Sequence, residues 1–246
     1  MIAVISPSKT MKEEKIRTRT TKPRLLEDSL ILQHEMRSYT VKDLEKLMGI
    51  SEELAELNYR RFQGMADAKE FPALYLFHGD VFRGIDADTL SPDEVGYLNT
   101  HLRILSGLYG VLRPLDRIKP YRLEMGIRHL NERGKTLYDF WGEKVQKLLE
   151  KDSKDRILIN LASKEYAKSM RERHIRLDVY DVEFREHRNG EYPIISFFAK
   201  IARGEMARFM AVNNVQNVEE LKNFNYDGYV YNNALSKEKS LVFTRG

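Results

Sequence analysis

The sequence predicts a mixed α/β fold: a single domain over residues 1–246, with a central mixed sheet surrounded by helices. Apolar runs typical of buried strands alternate irregularly with segments whose apolar residues have helical spacing. The 246 residues contain no internal repeat, low-complexity segment or linker that would divide the chain. The composition, 42% hydrophobic and 32% charged, is that of a globular protein with a densely charged surface.

The first half of the chain is expected to contribute two strands and four helices. Met1–Ile5 is a short apolar run that ends at the turn-forming pair Ser6-Pro7, and Ala73–Phe77 is expected to be a second strand. The predicted helices are Arg24–Met36, Val41–Met48, Glu52–Phe62 and Pro92–Leu102. The last of these has Ser91 placed as its N-cap and a proline in its first turn, which is the arrangement that helix starts favour.

The second half alternates between the two kinds of element. Helices are predicted at Thr136–Leu149, Ile201–Val212 and Val218–Asn223. Strands are predicted at Arg156–Leu161, Arg176–Phe184 and Pro193–Phe198, with Tyr229–Tyr231 and Leu241–Thr244 as edge strands. The dipeptide Asn189-Gly190 separates the second and third of these strands and is typical of a two-residue hairpin turn.

Residues Leu102–Gly126, LRILSGLYGVLRPLDRIKPYRLEMG, are too apolar for a solvated loop and too interrupted by glycine and proline for one helix. Tyrosines and cations alternate along and just after this segment, and the cations taken as candidate contacts are Arg113, Arg117, Lys119 and Arg128. Such a pattern indicates a surface that binds an anion, of which nucleic acid is the most natural. The alternative is a packed connector whose arginines cover its outer side.

Residues 41–62 have the form of a helix-hairpin-helix. An apolar helix precedes Gly49, which frees the backbone to turn, and Ser51 can cap the helix that follows Ile50. Amides exposed at that helix start can bind a phosphate oxygen without reading a base, and Arg60 and Arg61 would extend the phosphate contacts. An ordinary αα-hairpin packed on the core is the alternative.

Polar residues also collect at the expected strand ends. If the segments carrying Lys9, Asp80 and Ser163 are neighbours, they form a cleft suited to a phosphate or carboxylate ligand. Its cations would be Lys9, Arg122, Lys200 and Arg203, and its acids Asp80, Glu124 and Glu165. Each of these residues could instead be an ordinary cap or turn residue.

Several classes of protein are excluded or disfavoured. The chain has no cysteine, so it has no disulfide, thiolate nucleophile or cysteine-ligated metal. Its six histidines lack metal-ligand spacing, and no glycine-rich phosphate loop occurs, so neither metal nor cofactor is expected. The N-terminus lacks the pattern of a signal peptide, and no apolar run approaches the ~20 residues that span a membrane. A cytoplasmic protein with no membrane contact is expected.

Seven short motifs in order along the chain resemble those of the YaaA family of bacterial peroxide-stress proteins. They are ISPSKT (5–10), LMGIS (47–51), GDVF (79–82), the 102–126 segment, LYDFWG (137–142), NLASKEY (160–166) and FFAKIARGEMARF (197–209). The resemblance implies a single mixed α/β domain with a helix-hairpin-helix and DNA binding through a positively charged cleft. The site residues that it carries over are Lys9, Asp80, Arg122, Glu124, Ser163, Glu165, Tyr166, Lys200 and Arg203.

The function expected on these grounds is sequence-tolerant binding of duplex or branched DNA in the oxidative (peroxide) stress response, limiting iron-linked damage. The mildly basic net charge of +4 is compatible with that role. An alternative is an enzyme that acts on a phosphorylated or nucleic-acid substrate in the polar cleft. Direct iron handling is a third and weaker possibility, because no protein-encoded iron site is visible in the sequence.

Overall fold

A computed structural model describes residues 1–171 and 175–246. Its strands are β1 (Ile2–Ile5), β2 (Phe71–Pro72), β3 (Leu102–Ser106), β4 (Gly110–Leu112), β5 (Arg117–Ile118), β6 (Ile157–Asn160), β7 (Asp178–Glu186), β8 (Val230–Tyr231) and β9 (Ser240–Arg245). Its helices are α1 (Leu26–Arg37), α2 (Val41–Met48), α3 (Glu52–Gln63), α4 (Ala73–Leu76), α5 (Asp80–Ile85), α6 (Pro92–His101), α7 (Leu137–Trp141), α8 (Lys144–Asp152), α9 (Lys164–Arg171), α10 (Ser196–Val212) and α11 (Val218–Leu221). Two single 3₁₀ turns, Ala87–Thr89 and Tyr226–Gly228, complete the described elements.

Seven strands form one mixed sheet in the order β4-β3-β1-β6-β7-β9-β8. The five inner strands are parallel, and both edge strands, β4 and β8, run antiparallel to their neighbours. Strands β1 and β3 are buried along their whole length, as expected when helices cover both faces of a parallel sheet. A separate antiparallel ribbon joins β2 to β5. The predicted mixed α/β class is therefore confirmed.

The order of the strands creates a switch point at the middle of the sheet. Strand β1 pairs with β3 on one side and with β6 on the other, and β6 pairs onward with β7. The chain after β1 thus leads towards one edge of the sheet and the chain after β6 towards the other. The carboxyl ends of β1 and β6 consequently border a crevice, which is where open α/β sheets bind their ligands.

Several predicted elements are confirmed with small shifts in their ends. Helices α1, α2, α3 and α6 lie where they were expected, and Ser91 caps α6 by accepting a hydrogen bond from the amide of Glu94. Strands β1, β6 and β7 also match their predicted segments. The expectation that the last two segments would both be edge strands is wrong for β9, which lies between β7 and β8.

The strand predicted at Ala73–Phe77 is wrong, because the segment forms the single-turn helix α4. The amides of Ala73 and Leu74 donate to the carbonyls of Asp116 and Pro114, which ends the short β2–β5 ribbon and starts the turn. An apolar run of five residues does not distinguish a buried helical turn from a strand.

The strand predicted at Pro193–Phe198 is also wrong. Asn189 and Gly190 both have positive φ and form the expected tight turn, and Pro193 accepts one hydrogen bond from the amide of Glu186. Proline has no N–H with which to continue a ladder, so pairing stops there. Helix α10 begins at Ser196 instead, earlier than predicted.

The single helix predicted at Thr136–Leu149 is two helices, α7 and α8. Gly142 separates them with φ 47° and ψ −124°, a conformation that leaves the helix and suits glycine. Helix α10, by contrast, is the longest helix described, and it packs against α5, α6, β7 and β1. Within the described residues, no helix combines the length and the apolar character needed to cross a bilayer.

Candidate functional site

A polar pocket of about 460 Å³ lies at the carboxyl ends of β1 and β6. We call it the switch-point pocket, and its polar lining is Ser6, Ser8, Lys9, Thr10, Asp80, Ser163, Glu165, Tyr166, Lys200 and Arg203. It is assembled from the loop after β1, the start of α5, the loop between β6 and α9, and one face of α10. Residues far apart in the sequence thus converge as the sequence predicted.

The two loops at the switch point are joined by a pair of serines. The amide of Ser163 donates to Oγ of Ser6 at 2.9 Å, and the two hydroxyl oxygens are 3.2 Å apart. The carbonyl of Ser163 accepts the first hydrogen bond of α9 from Ala167. These contacts fix the relative position of the β1 and β6 loops and leave hydroxyl groups on the pocket wall.

The start of α5 is held against the β1 loop. Oγ of Ser8 donates to the carbonyl of His78 at 3.0 Å, and a Cβ atom built on Gly79 would lie 2.4 Å from that hydroxyl oxygen. Only glycine permits this approach without a shift of the neighbouring chain. The contact brings Asp80 to the pocket, where its carboxylate has one long ion pair, 3.5 Å from Arg83.

An ion cluster lies beside the pocket. Oε1 of Glu124 is 2.8 Å from the guanidinium of Arg122 and 3.2 Å from Nζ of Lys9. The side chains of Arg122 and Glu124 are 14% and 13% exposed, whereas that of Lys9 is 65% exposed. Arg122 therefore anchors Glu124 inside the fold, and Lys9 joins this anchored pair to the pocket.

Glu165 and Tyr166, in the first turn of α9, have different roles. Oε1 of Glu165 accepts a hydrogen bond from the amide of Gly126 at 2.8 Å, which ties α9 to the end of the 102–126 segment. The Tyr166 side chain is buried, and burial together with nearby Tyr121, Glu165 and Glu124 raises its pKa well above the ordinary value for a phenol. Tyr166 thus stays protonated and presents a neutral hydroxyl.

The α10 wall of the pocket carries two cations. Lys200 is exposed, whereas Arg203 is half-buried, and its buried Nε atom is without a hydrogen-bond partner in the part of the chain described. Burial lowers the pKa of the Arg203 guanidinium, and the nearby charge of Glu183 opposes that effect. Seven of the nine predicted candidates therefore line the pocket, and Arg122 and Glu124 lie next to it.

Sequence reasoning did not select Ser6, Val81 and Phe82 as site residues, although all three line the pocket. The sequence does mark Ser6 as a candidate, because it directly follows β1, just as Ser163 lies in the loop that follows β6. Nothing in the sequence marks Val81 and Phe82, since apolar residues in a short helix are ordinarily core residues.

Helices α2 and α3 are joined by the three residues Gly49, Ile50 and Ser51. Gly49 has φ 59° and ends α2, and Oγ of Ser51 accepts a hydrogen bond from the amide of Leu54. Glu52 and Glu53 are exposed in the first turn of α3. The helices, the turn and its cap are thus where the sequence placed them, and a phosphate at this turn would meet two carboxylates.

The predicted cationic contacts are in different environments. Arg113 forms an ion pair with buried Asp116, and Nζ of Lys119 donates to the carbonyls of Met65 and Ala66 just after α3. Arg61 is half-buried and 4.0 Å from Glu13. Two others are exposed, Arg60 beside Glu56 and Arg128 after the 102–126 segment. Arg113 and Lys119 therefore already stabilise the fold.

A second surface, which we call the basic groove, is lined by Lys15, Arg17, Lys69, Arg117 and Lys119, with Glu70 as its acid. Its volume is about 920 Å³. The groove lies between the 12–22 segment and the β2–β5 ribbon. Hydrogen bonds from Thr21 to Leu115 and from Arg117 to Thr21 hold that segment in place. Lys15 and Arg17 were not selected from the sequence, because an exposed polar connection gives no sign of what it faces.

Within residues 1–171 and 175–246, no group of three or more His, Asp or Glu side chains is placed to hold a metal ion. His174, one of the histidines considered in the sequence, lies outside the described residues.

Comparison with known proteins decides the family. Residues 1–235 match the family described as peroxide stress protein YaaA. The chain belongs to this family. It is similar to UPF0246 proteins of Saccharophagus degradans (44% identical over 254 residues), Teredinibacter turnerae (45% over 254) and Psychrobacter cryohalolentis (43% over 261). Each alignment covers 100% of this chain and 98–99% of the relative. The resemblance read from seven motifs is thus confirmed over nearly the whole chain.

Proposed function

We propose that this member of the peroxide stress family binds DNA without strong sequence preference and thereby limits iron-linked damage. The observation that carries the proposal is the basic groove, where five cations face one acid on an open surface. Regularly placed cations neutralise backbone phosphates whatever the sequence of bases.

The α2–α3 hairpin supports the same proposal. Arg60 and Arg61 lie in the last turn of α3, and Lys119 of the groove contacts the chain just after that helix. A helix of 12 residues is about 18 Å long, so the hairpin turn and the groove are separated by roughly one half-turn of duplex DNA. A duplex could therefore contact both the groove and Gly49–Ser51.

Binding is tested by fluorescence anisotropy with a labelled 20-base-pair duplex over a range of salt concentrations. The triple variant Lys15→Ala, Arg17→Ala, Lys69→Ala removes exposed groove cations that form no ion pair with any other described residue. We expect at least tenfold weaker binding and a salt slope smaller by up to about 0.9 per cation removed. The control variant removes three exposed cations elsewhere: Lys151→Ala, Lys154→Ala, Lys237→Ala. Equal losses of DNA affinity in both variants, or no binding by the wild-type chain, would show that the groove is not the DNA-binding surface.

The protective role follows from counterion release. Cations condense on DNA, Fe²⁺ among them, and a protein that neutralises phosphates displaces them. Peroxide then meets less iron beside the duplex. Nicking of supercoiled plasmid by Fe²⁺ and H₂O₂ should fall when the wild-type chain is added and not when the groove variant is added. If the groove variant protected the plasmid as well as the wild-type chain does, protection would not depend on DNA binding by the groove.

A further inference from the structure

We propose that the switch-point pocket is a binding site for a small phosphate monoester of the nucleoside monophosphate class, separate from the DNA-binding groove. The inference does not depend on DNA binding. It rests on an arginine whose Nε has no hydrogen-bond partner among the described residues, on the charges around it, and on the shape and position of the pocket.

Arg203 is the strongest indication of a ligand. The residue is partly exposed, yet its Nε atom is buried and has no hydrogen-bond partner among the described residues, and no carboxylate there lies within ion-pair distance of the guanidinium. Leaving a buried polar atom without a hydrogen bond is costly, so folds rarely retain one without a use for it. A guanidinium is the side chain best suited to bind a phosphate through two parallel hydrogen bonds.

The other pocket charges favour an anion. Lys200 adds a second cation from the same helix, and Lys9, which also contacts Glu124, adds a third from the β1 loop. Two carboxylates, those of Asp80 and Glu165, line the same pocket. Three cations against two carboxylates leave the lining with a formal charge of +1.

The remaining lining suits the rest of a nucleotide. Pro7, Val81, Phe82 and Leu161 supply an apolar wall against which a base could pack. The carboxylate of Asp80 is free to accept hydrogen bonds from ribose hydroxyls, as acidic residues do in dinucleotide-binding folds.

Size and position separate this pocket from a duplex-binding surface. A volume of about 460 Å³ falls within the range of small-molecule sites, and the pocket is more enclosed than the groove. The pocket lies at the switch point of the sheet, where the paired hydroxyls of Ser6 and Ser163 form part of its wall. Parallel sheets of unrelated function bind small ligands at this position.

Isothermal titration calorimetry of the full chain with AMP, adenosine and inorganic phosphate tests the proposal. We expect AMP to bind, phosphate to bind more weakly, and adenosine to bind at least tenfold more weakly than AMP. Arg203→Met should weaken AMP binding at least tenfold while leaving the thermal midpoint unchanged or raising it, because no ion pair of this guanidinium among the described residues is lost and its unsatisfied Nε is removed.

Arg208→Met is the matched control on the same helix. Arg208 donates to the carbonyls of Ile85 and Asp86 and lies outside the pocket lining. This variant should lower the thermal midpoint and keep the AMP affinity.

Three results would overturn the inference: no AMP binding at millimolar concentration, equal binding of AMP and adenosine, or a lower midpoint in Arg203→Met. Competition between AMP and duplex DNA, together with weaker DNA binding by Arg203→Met, would show that the pocket belongs to the DNA surface. DNA binding that survives without any AMP binding would refute this inference alone and leave the proposed function intact.

Discussion

Gly84 of α5 and Gly204 of α10 face each other where the two helices cross, with no side chain between their backbones. A Cβ atom built on Gly204 would lie 1.8 Å from the carbonyl oxygen of Val81, and one built on Gly84 would lie 2.2 Å from that of Ile201. This contact sets the position of α10 relative to α5. Since α10 carries Lys200 and Arg203 and α5 begins at Asp80, it also sets the width of the switch-point pocket.

Gly204→Ala should therefore destabilise the protein and distort the pocket. Overpacking against a rigid backbone carbonyl should cost about 3 kcal/mol or more in the free energy of unfolding. Gly96→Ala on α6 is the control, because its Cβ would meet no atom within 4 Å and alanine favours an exposed helix by up to about 1 kcal/mol. Urea denaturation of both variants checks the pair. A neutral Gly204→Ala would contradict the close crossing.

Arg122 and Lys9 should behave differently although both contact Glu124. The Arg122–Glu124 pair is largely buried, so Arg122→Ala leaves the Glu124 carboxylate with only the exposed Lys9 as a cationic partner and should cost about 3 kcal/mol. Lys9 is mostly exposed, so Lys9→Ala should change stability by less than about 1 kcal/mol. Thermal and urea unfolding measure the difference. Equal effects would show that Arg122 is not the anchor of Glu124.

The fold class and most elements could be predicted because their signals are local. Helix α2 has a capping box at Thr40 and a glycine C-cap, and both lie within the helix's own sequence. The failures occurred where tertiary contacts decide. Ala73–Phe77 forms a helical turn because the carbonyls of Asp116 and Pro114 accept hydrogen bonds from its first amides. Helix α10 starts at Ser196 because Pro193 ends the pairing with β7. Neither partner is visible from the segment itself.

The candidate site was predictable only in part for the same reason. Polar residues after strands β1 and β6 could be expected to meet, because carboxyl ends of parallel strands share one edge of a sheet. The different environments of the individual cations could not be predicted. The Nε atom of Arg203 is buried without a hydrogen-bond partner among the described residues, whereas Arg113 is paired with Asp116, and nothing in the sequence distinguishes the two arginines.

The double variant Glu52→Gln, Glu53→Gln tests whether the α2–α3 turn contacts DNA. Both carboxylates are exposed at the start of α3, where they repel a phosphate that would otherwise be attracted to the helix amides. Removing them should tighten duplex binding about two- to tenfold and steepen its salt dependence, at a cost of up to about 1 kcal/mol per residue in helix stability.

The control is the double variant Glu191→Gln, Glu238→Gln, which removes the same charge from other exposed positions. Matching gains in both variants would reflect net charge alone and remove the hairpin from the proposed interface.

Glu205 should make the protein less stable at neutral pH than at mildly acidic pH. Burial and the nearby charge of Asp227 raise the pKa of its carboxyl, against the opposing effect of Arg245, and Oε2 has no hydrogen-bond partner among the described residues. An acid whose pKa is higher in the folded state keeps its proton there, so its contribution to stability falls as pH rises from about 4.3 through the folded pKa. Glu205→Gln places an uncharged side chain there, so the protein no longer loses stability by ionising this group.

The variant should therefore be more stable than the wild-type chain at pH 7 by about 0.5–2 kcal/mol, which is the range of single stabilising substitutions. This gain should disappear near pH 4. Urea denaturation at both pH values, with the exposed Glu219→Gln as the control, measures the difference. A destabilised Glu205→Gln at pH 7 would mean that the ionised carboxylate has a stabilising partner in the folded protein.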